Sequence, residues 1–213
     1  MKFKITRDPY EEKVYIYSRA SVEINPGITV LVGCNGAGKS TLIRHIKYNC
    51  EEQKLDYINF DNLIDGGHNA RDKFAFHDRF DLLSTAICSS EGEELSMNIG
   101  IQLGRIGKKI RQMDDNKSLF IFFDASDSGL SIDNVIEIKS VFDDCVIPDA
   151  KNKGIDVYVI IAANEYEMTD GQDCIDVSTL SHVTFKTYDD YKKYIIKNRE
   201  RKDKRYVKKE NKN

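Results

Sequence analysis

Tryptophan is missing from the 213 residues, proline occurs only three times, and no apolar run approaches the roughly 20 residues that a membrane-spanning helix requires. The longest apolar runs, 28–32, 119–123 and 157–163, are strand-length, so neither a transmembrane protein nor a membrane partner is expected. Cys34, Cys50, Cys88, Cys145 and Cys174 are an odd, widely spaced set with no C-x-x-C pair, which argues against a disulfide framework or a zinc site. The histidines, His45, His68, His77 and His182, include no H-E-x-x-H pattern, and no metal is assigned to them. No apolar segment precedes the first charges at the N-terminus, so no secretory leader is read there and a cytoplasmic location is expected. What the chain does contain, 40% hydrophobic and 31% charged residues, suffices for one generous globular core and excludes a wholly disordered or collagen-like polymer.

The formal net charge of −3 conceals an asymmetry. Residues 192–213 hold 11 Lys or Arg against three acids, a local balance of +8, so the preceding 191 residues carry −11. A basic C-terminal segment on an acidic body either attracts the phosphates of DNA or RNA or folds back on its own acidic surface, and both readings stand. Tyr188, Tyr191, Tyr194 and Ile195 space as one apolar helical face ahead of those charges. Only Tyr206 interrupts the basic run, which gives little support to a base-stacking platform for single strands.

Along the chain, residues 2–6, 13–17 and 20–24 alternate as strands of a half-exposed sheet. Pro26 and Gly27 turn the chain into the continuous apolar run 28–32, the pattern of a strand covered on both faces. A helix is expected to about Asn49, a strand at 55–60, and a polar loop at 61–73 bending at Gly66 and Gly67. Two helical patterns follow. The second starts near Gly92 and carries Leu95, Ile99, Leu103, Ile106 and Ile110 on one face, with Gly100, Gly104 and Gly107 permitting close packing. Residues 119–123 form a buried strand ending in Asp124. Ser131 caps a helix through about Cys145, with Ile132, Val135, Ile138, Val141 and Phe142 as its core stripe and Pro148 marking its end. A third buried strand at 155–163 and short edge strands at 174–177 and 182–185 precede the basic helix.

The chemistry concentrates in Gly33-Cys34-Asn35-Gly36-Ala37-Gly38-Lys39-Ser40-Thr41, a G-x-x-x-x-G-K-S pattern set between a buried strand and a helix. Glycines let the backbone curl so that N–H groups and a helix N-terminus face a polyphosphate. Lys39 supplies a point charge to the β- and γ-phosphates, and the Ser40 hydroxyl is a ligand for Mg²⁺. A second Mg²⁺ ligand is expected at the end of a neighbouring buried strand. Asp124, closing Phe120-Ile121-Phe122-Phe123, meets that need at the carboxyl edge of the sheet.

Residues 33–41 resemble the phosphate loop of the ATP-binding cassette (ABC) ATPases. Asp124-Ala125-Ser126-Asp127-Ser128-Gly129-Leu130-Ser131 is similar to that family's strand end and D-loop, usually D-E-P-x-S-G/A-L-D. Between them Ser89-Ser90-Glu91-Gly92-Glu93 resembles the family signature L-S-G-G-Q/E and opens the long glycine-bearing helix. The resemblance implies a three-layer α/β P-loop NTPase head with N-terminal antiparallel strands and a small helical subdomain. It covers about residues 1–190, with 191–213 as a basic C-terminal helix or tail. It implies ATP and Mg²⁺ bound by Gly33, Asn35, Gly36, Ala37, Gly38, Lys39, Ser40 and Thr41, with Ser40 and Asp124 on the metal. Ser90 and Gly92 complete the site of a second copy, so two chains sandwich two nucleotides as a homodimer.

The chain departs from the family where water is activated. The general base after the metal-binding Asp is replaced by Ala125, which cannot orient or deprotonate water, so the implied hydrolysis is slow. Asp127 or Glu165 are the candidates to substitute. Asn164 is the nearest match to the family's histidine, and Asp61 or Asn62 to its glutamine. Tyr15 or Tyr17 could stack adenine, although a sheet tyrosine also serves as packing. Coiled-coil arms and a transmembrane domain are not expected in a chain this short, so the expected likeness is to soluble repair and recombination heads of SMC-like and RecF-like type. The leading expectation is a slow ATPase or ATP-gated clamp near nucleic acid. An inert nucleotide-binding regulatory module, a small-molecule kinase and a detached transport cassette are the rivals.

Overall fold

A computed structural model describes residues 1–61, 91–124 and 132–210. β1 (Lys2–Lys4) and β2 (Ser21–Glu23) pair antiparallel as a separate ribbon. The main sheet is built from β3 (Gly27–Val32), β4 (Asp56–Asp61), β5 (Ser118–Asp124), β6 (Asp156–Ala162), β7 (Asp173–Asp176) and β8 (Ser181–Val183). Its order is β4-β5-β6-β3-β7-β8, parallel throughout except for β8, which runs antiparallel to β7 at the edge. The helices are α1 (Lys39–Glu52), α2 (Glu91–Gln112), α3 (Ile132–Val141), α4 (Ile147–Asn152), α5 (Tyr166–Thr169) and α6 (Tyr188–Glu210), with a π-helical turn at Phe142–Val146.

The strands read as unbroken apolar runs because both faces of the sheet are covered. Val30, Ile121, Phe123, Val159 and Ile161 pack against α2, α3 and α6, with Ile106, Ile110, Val135, Phe142 and Tyr191 in that core. Their alternate neighbours, Leu31, Phe120, Phe122, Ile160 and Ile175, face α1 and the ribbon, where Leu42, Ile46, Phe3, Val22 and Ile24 bury. Period-two alternation thus separates two cores across one sheet, an α/β arrangement in three layers. No helix among the described residues is long and apolar enough to cross a membrane.

Several local expectations change. Residues 13–17 are not a strand: Glu11 and Lys13 hold φ of 55° and 59°, and the Ile16 and Tyr17 N–H groups both donate to the Arg7 carbonyl, folding the segment on itself. Pro148 does not end its helix but sits in the first turn of α4. The π turn before it, where the Ile147 N–H reaches the Phe142 carbonyl, lets the chain continue without the donor proline lacks. Ile132 faces outward at 55% exposure instead of joining the α3 stripe. No described atom outside the helix comes within 4 Å of a Cβ placed on Gly100 or Gly104, so these glycines do not provide close packing among the described residues. β7 pairs on both sides, leaving β8 alone at that edge. The loop expected at 61–73 and the helical subdomain expected before α2 fall on residues 62–90, outside the described residues.

Candidate functional site

Every parallel strand delivers its carboxyl end to one edge of the sheet, the edge at which open α/β sheets place ligands. β3 stops at Val32, and residues 33–38 curl directly into α1. Gly36 and Gly38 hold φ of 73° and 102°, conformations that favour glycine. A Cβ on Gly38 would lie 3.0 Å from Ile16 Cγ2 and 3.1 Å from the Tyr17 hydroxyl. The curl is closed by the Ala37 N–H donating to the Cys34 carbonyl at 3.0 Å and the Leu42 N–H to the Gly38 carbonyl at 2.9 Å.

At the start of α1, Lys39 Nζ donates to the Gly33 carbonyl at 2.8 Å and to Asn164 Oδ1 at 2.9 Å. The Ser40 hydroxyl donates to Asp124 Oδ1 at 3.0 Å. Asp124 does not stand on a strand adjoining β3, as expected, because β6 intervenes. It reaches Ser40 over the end of β6, where its register partner is the small Ala162. These groups line an open cleft of ≈ 450 Å³ with Asn35, Gly36, Ala37, Gly38, Thr41, Tyr10 and Ile16. Ser40 and Asp124 offer hard oxygen donors in mutual contact, a set that fits Mg²⁺, which takes one or two protein ligands and fills the rest with phosphate and water.

The residues around the loop come from distant segments. Tyr10 shares a 2.9 Å hydrogen bond with the Thr41 hydroxyl, which also accepts from Arg44 Nη2 at 3.2 Å. Tyr17 is fully buried and donates to the Gly38 carbonyl at 2.9 Å, so it braces the loop and presents no face for stacking. Burial raises its phenol far above the ordinary tyrosine value, with Tyr10 pushing the same way. Tyr15 is 58% exposed, with the Arg7 guanidinium 4.1 Å from its ring centre. From α6, Tyr194 donates to the Val32 carbonyl at 3.0 Å, Tyr191 to the Asn164 carbonyl at 2.7 Å, and Lys202 Nζ to the Asn35 carbonyl at 3.0 Å. The Cys34 N–H donates to Asn198 Oδ1 at 3.1 Å.

Gly33, Asn35, Gly36, Ala37, Gly38, Lys39, Ser40, Thr41, Asp124 and Asn164 therefore converge on one edge of the sheet. Glu165 is exposed at the start of α5 and does not line the cleft. Gly92 lies in the first turn of α2, which begins at Glu91. Asp61 ends β4 as the register partner of Asp124. Ser90, Asn62, Ala125 and Asp127 lie outside the described residues. Tyr10, Asn198 and Lys202 are the neighbours that sequence reading missed. The last two continue the α6 stripe of Tyr191, Tyr194 and Ile195 at helical spacing, a signal hidden because the stripe turns from apolar to polar. Neither protein-family models nor the curated proteins contain a match to this chain.

Proposed function

We propose that the protein is an ABC-type P-loop ATPase that binds Mg-ATP at residues 33–41 and turns it over slowly. The bound nucleotide pairs two copies of the chain, as a clamp or switch near nucleic acid. The observation that carries this reading is the 3.0 Å contact between the Ser40 hydroxyl and Asp124, beside Lys39 at the start of α1. The first turn of α1 directs backbone N–H groups and the positive end of its dipole toward the cleft, a setting that favours a polyphosphate. Ser40 and Asp124 would hold Mg²⁺, which would supply charge to neutralise the phosphates. Lys39 exchanges its Asn164 contact for a phosphate oxygen, and the Asn164 amide becomes a further phosphate donor. Ala125 removes the side chain that would orient water, which is why turnover is slow. The same alanine favours one second reading, a regulatory module that binds ATP, dimerises and hydrolyses nothing. The exposed cations of α6, Lys192, Lys193, Lys197, Arg199 and Lys204, support a nucleic-acid partner.

Titration calorimetry with Mg-ATP tests the site. Saturable binding is expected, with Lys39→Ala weakening it about 10- to 100-fold as a charge-assisted hydrogen bond is removed. Absence of binding, or equal binding by Lys39→Ala, would overturn the reading. Phosphate release by the wild type separates the slow ATPase from the inert module.

A further inference from the structure

α6 meets the glycine loop at Cys34 and Asn35, and it does so with polar groups. Its inward stripe begins with Tyr191, Tyr194 and Ile195 and continues at the same helical spacing into Asn198, Arg201 and Lys202. Asn198 is fully buried. Its Oδ1 accepts the Cys34 N–H at 3.1 Å, and its Nδ2 donates to Asp176 Oδ1 at 3.3 Å and Ser178 Oγ at 3.1 Å, with the Tyr194 hydroxyl at 3.4 Å. Asp176, only 4% exposed at the end of β7, also accepts the Ser178 N–H at 2.9 Å and Arg201 Nη2 at 3.0 Å. An amide is the side chain that offers one acceptor to the loop and two donors to this anchored carboxylate and hydroxyl at once.

The next loop residue is held by the next turn of the same helix, where Lys202 Nζ donates to the Asn35 carbonyl at 3.0 Å. Neither Asn198 nor Lys202 lines the cleft. A side chain that served only to seat α6 on the sheet could spend its hydrogen bonds on β7. Asn198 adds to those bonds one from the Cys34 N–H, and Lys202 gives its bond to the Asn35 carbonyl, so both reach the backbone of the loop that must keep its curl to aim N–H groups at an anion.

We propose that α6 is a clasp for the nucleotide loop, with Asn198 and Lys202 as positioning residues that hold residues 34 and 35 in the phosphate-accepting curl. The assignment rests on the nucleotide-binding reading above. It makes the basic C-terminal helix part of the ATP site, coupling any movement of that helix to nucleotide affinity.

The test compares Asn198→Leu, Lys202→Met and Lys202→Arg with the wild type. Affinity for Mg-ATP and for inorganic tripolyphosphate is measured at about 0.1 M and 1 M salt, and the thermal midpoint is recorded for each ligand-free protein. The clasp predicts that Asn198→Leu, which loses the buried bond to the Cys34 N–H, binds both ligands about tenfold more weakly, and that Lys202→Met, which loses an exposed bond to the Asn35 carbonyl, binds them about threefold more weakly. The weakening should persist at high salt, and Lys202→Arg should restore affinity. Lys202→Met keeps its stem and buries no charge, so it reports even if Asn198→Leu does not fold. Wild-type affinity in folded Lys202→Met, or a weakening that vanishes at high salt, would overturn the clasp while leaving the nucleotide reading intact. A wild type that binds neither ligand would instead overturn the nucleotide reading, and the clasp with it.

Discussion

Gly38 combines two constraints, since its backbone holds φ of 102° and a Cβ there would meet Ile16 and Tyr17 at 3.0 and 3.1 Å. Gly38→Ala is expected to destabilise the fold by about 1–3 kcal/mol, read as a shifted midpoint in chemical denaturation. An unchanged midpoint would show that the loop relaxes around the methyl group. Behind the same loop, burial lowers the His45 imidazole below its ordinary value, and the Arg44 cation pushes the same way. Its Nε2 is buried with no hydrogen-bond partner among the described residues, and its ring meets Tyr17 edge to face. The folded chain holds His45 neutral while the unfolded chain takes up a proton below about pH 6.5. Stability from this group is therefore full above that pH and falls as acid carries the solution toward the lower folded-state value. Thermal midpoints from about pH 7.5 to 5 should fall more steeply for the wild type than for His45→Gln, and parallel slopes would refute the assignment. At this scale the glycine loop was legible because its chemistry is contiguous in sequence. Tyr10 was not, because a partner 31 positions away leaves no local pattern, and Asn198, 164 positions from Cys34, was not because its place on the α6 stripe is polar.

The helices and strands divide along a similar line. Runs such as 119–123 announced buried strands because their apolar content decides the outcome wherever the chain goes. Residues 13–17 alternate like a strand yet fold otherwise, because the loop they brace lies elsewhere in the sequence. Pro148 failed as a stop signal because a π turn, invisible in composition, rearranges the hydrogen bonds before it. α6 shows both cases at once. Its inward cations, Arg201, Lys202 and Arg205, are committed to Asp176, Asn35 and the Ile16 carbonyl, while Lys192, Lys193, Lys197, Arg199 and Lys204 face outward. Truncation of the helix would therefore remove its hold on the loop together with surface charge. Lys193→Gln with Lys197→Gln separates them. Duplex DNA affinity should drop and its salt slope lessen by about 0.9 for each phosphate no longer neutralised, with Mg-ATP affinity unchanged. An unaltered slope would remove this face from the nucleic-acid account.

For the whole molecule, the sheet order brings together what the chain keeps apart. β6 separates β3 from β5, yet the loop after β3, Asp124 at the end of β5 and Asn164 beyond β6 meet at one edge. In the proposed dimer a second copy completes the site, and α2, which follows Ser90 in sequence and carries Gly92, is the element that would present it. Paired chains held by nucleotide are the central claim, and mass by light scattering with and without Mg-ATP, beside phosphate release on the same sample, tests it most directly. The account predicts a monomer that doubles in mass with Mg-ATP and returns to monomer as phosphate slowly appears, with Lys39→Ala monomeric throughout. A mass that ignores Mg-ATP while the nucleotide is bound would contradict it.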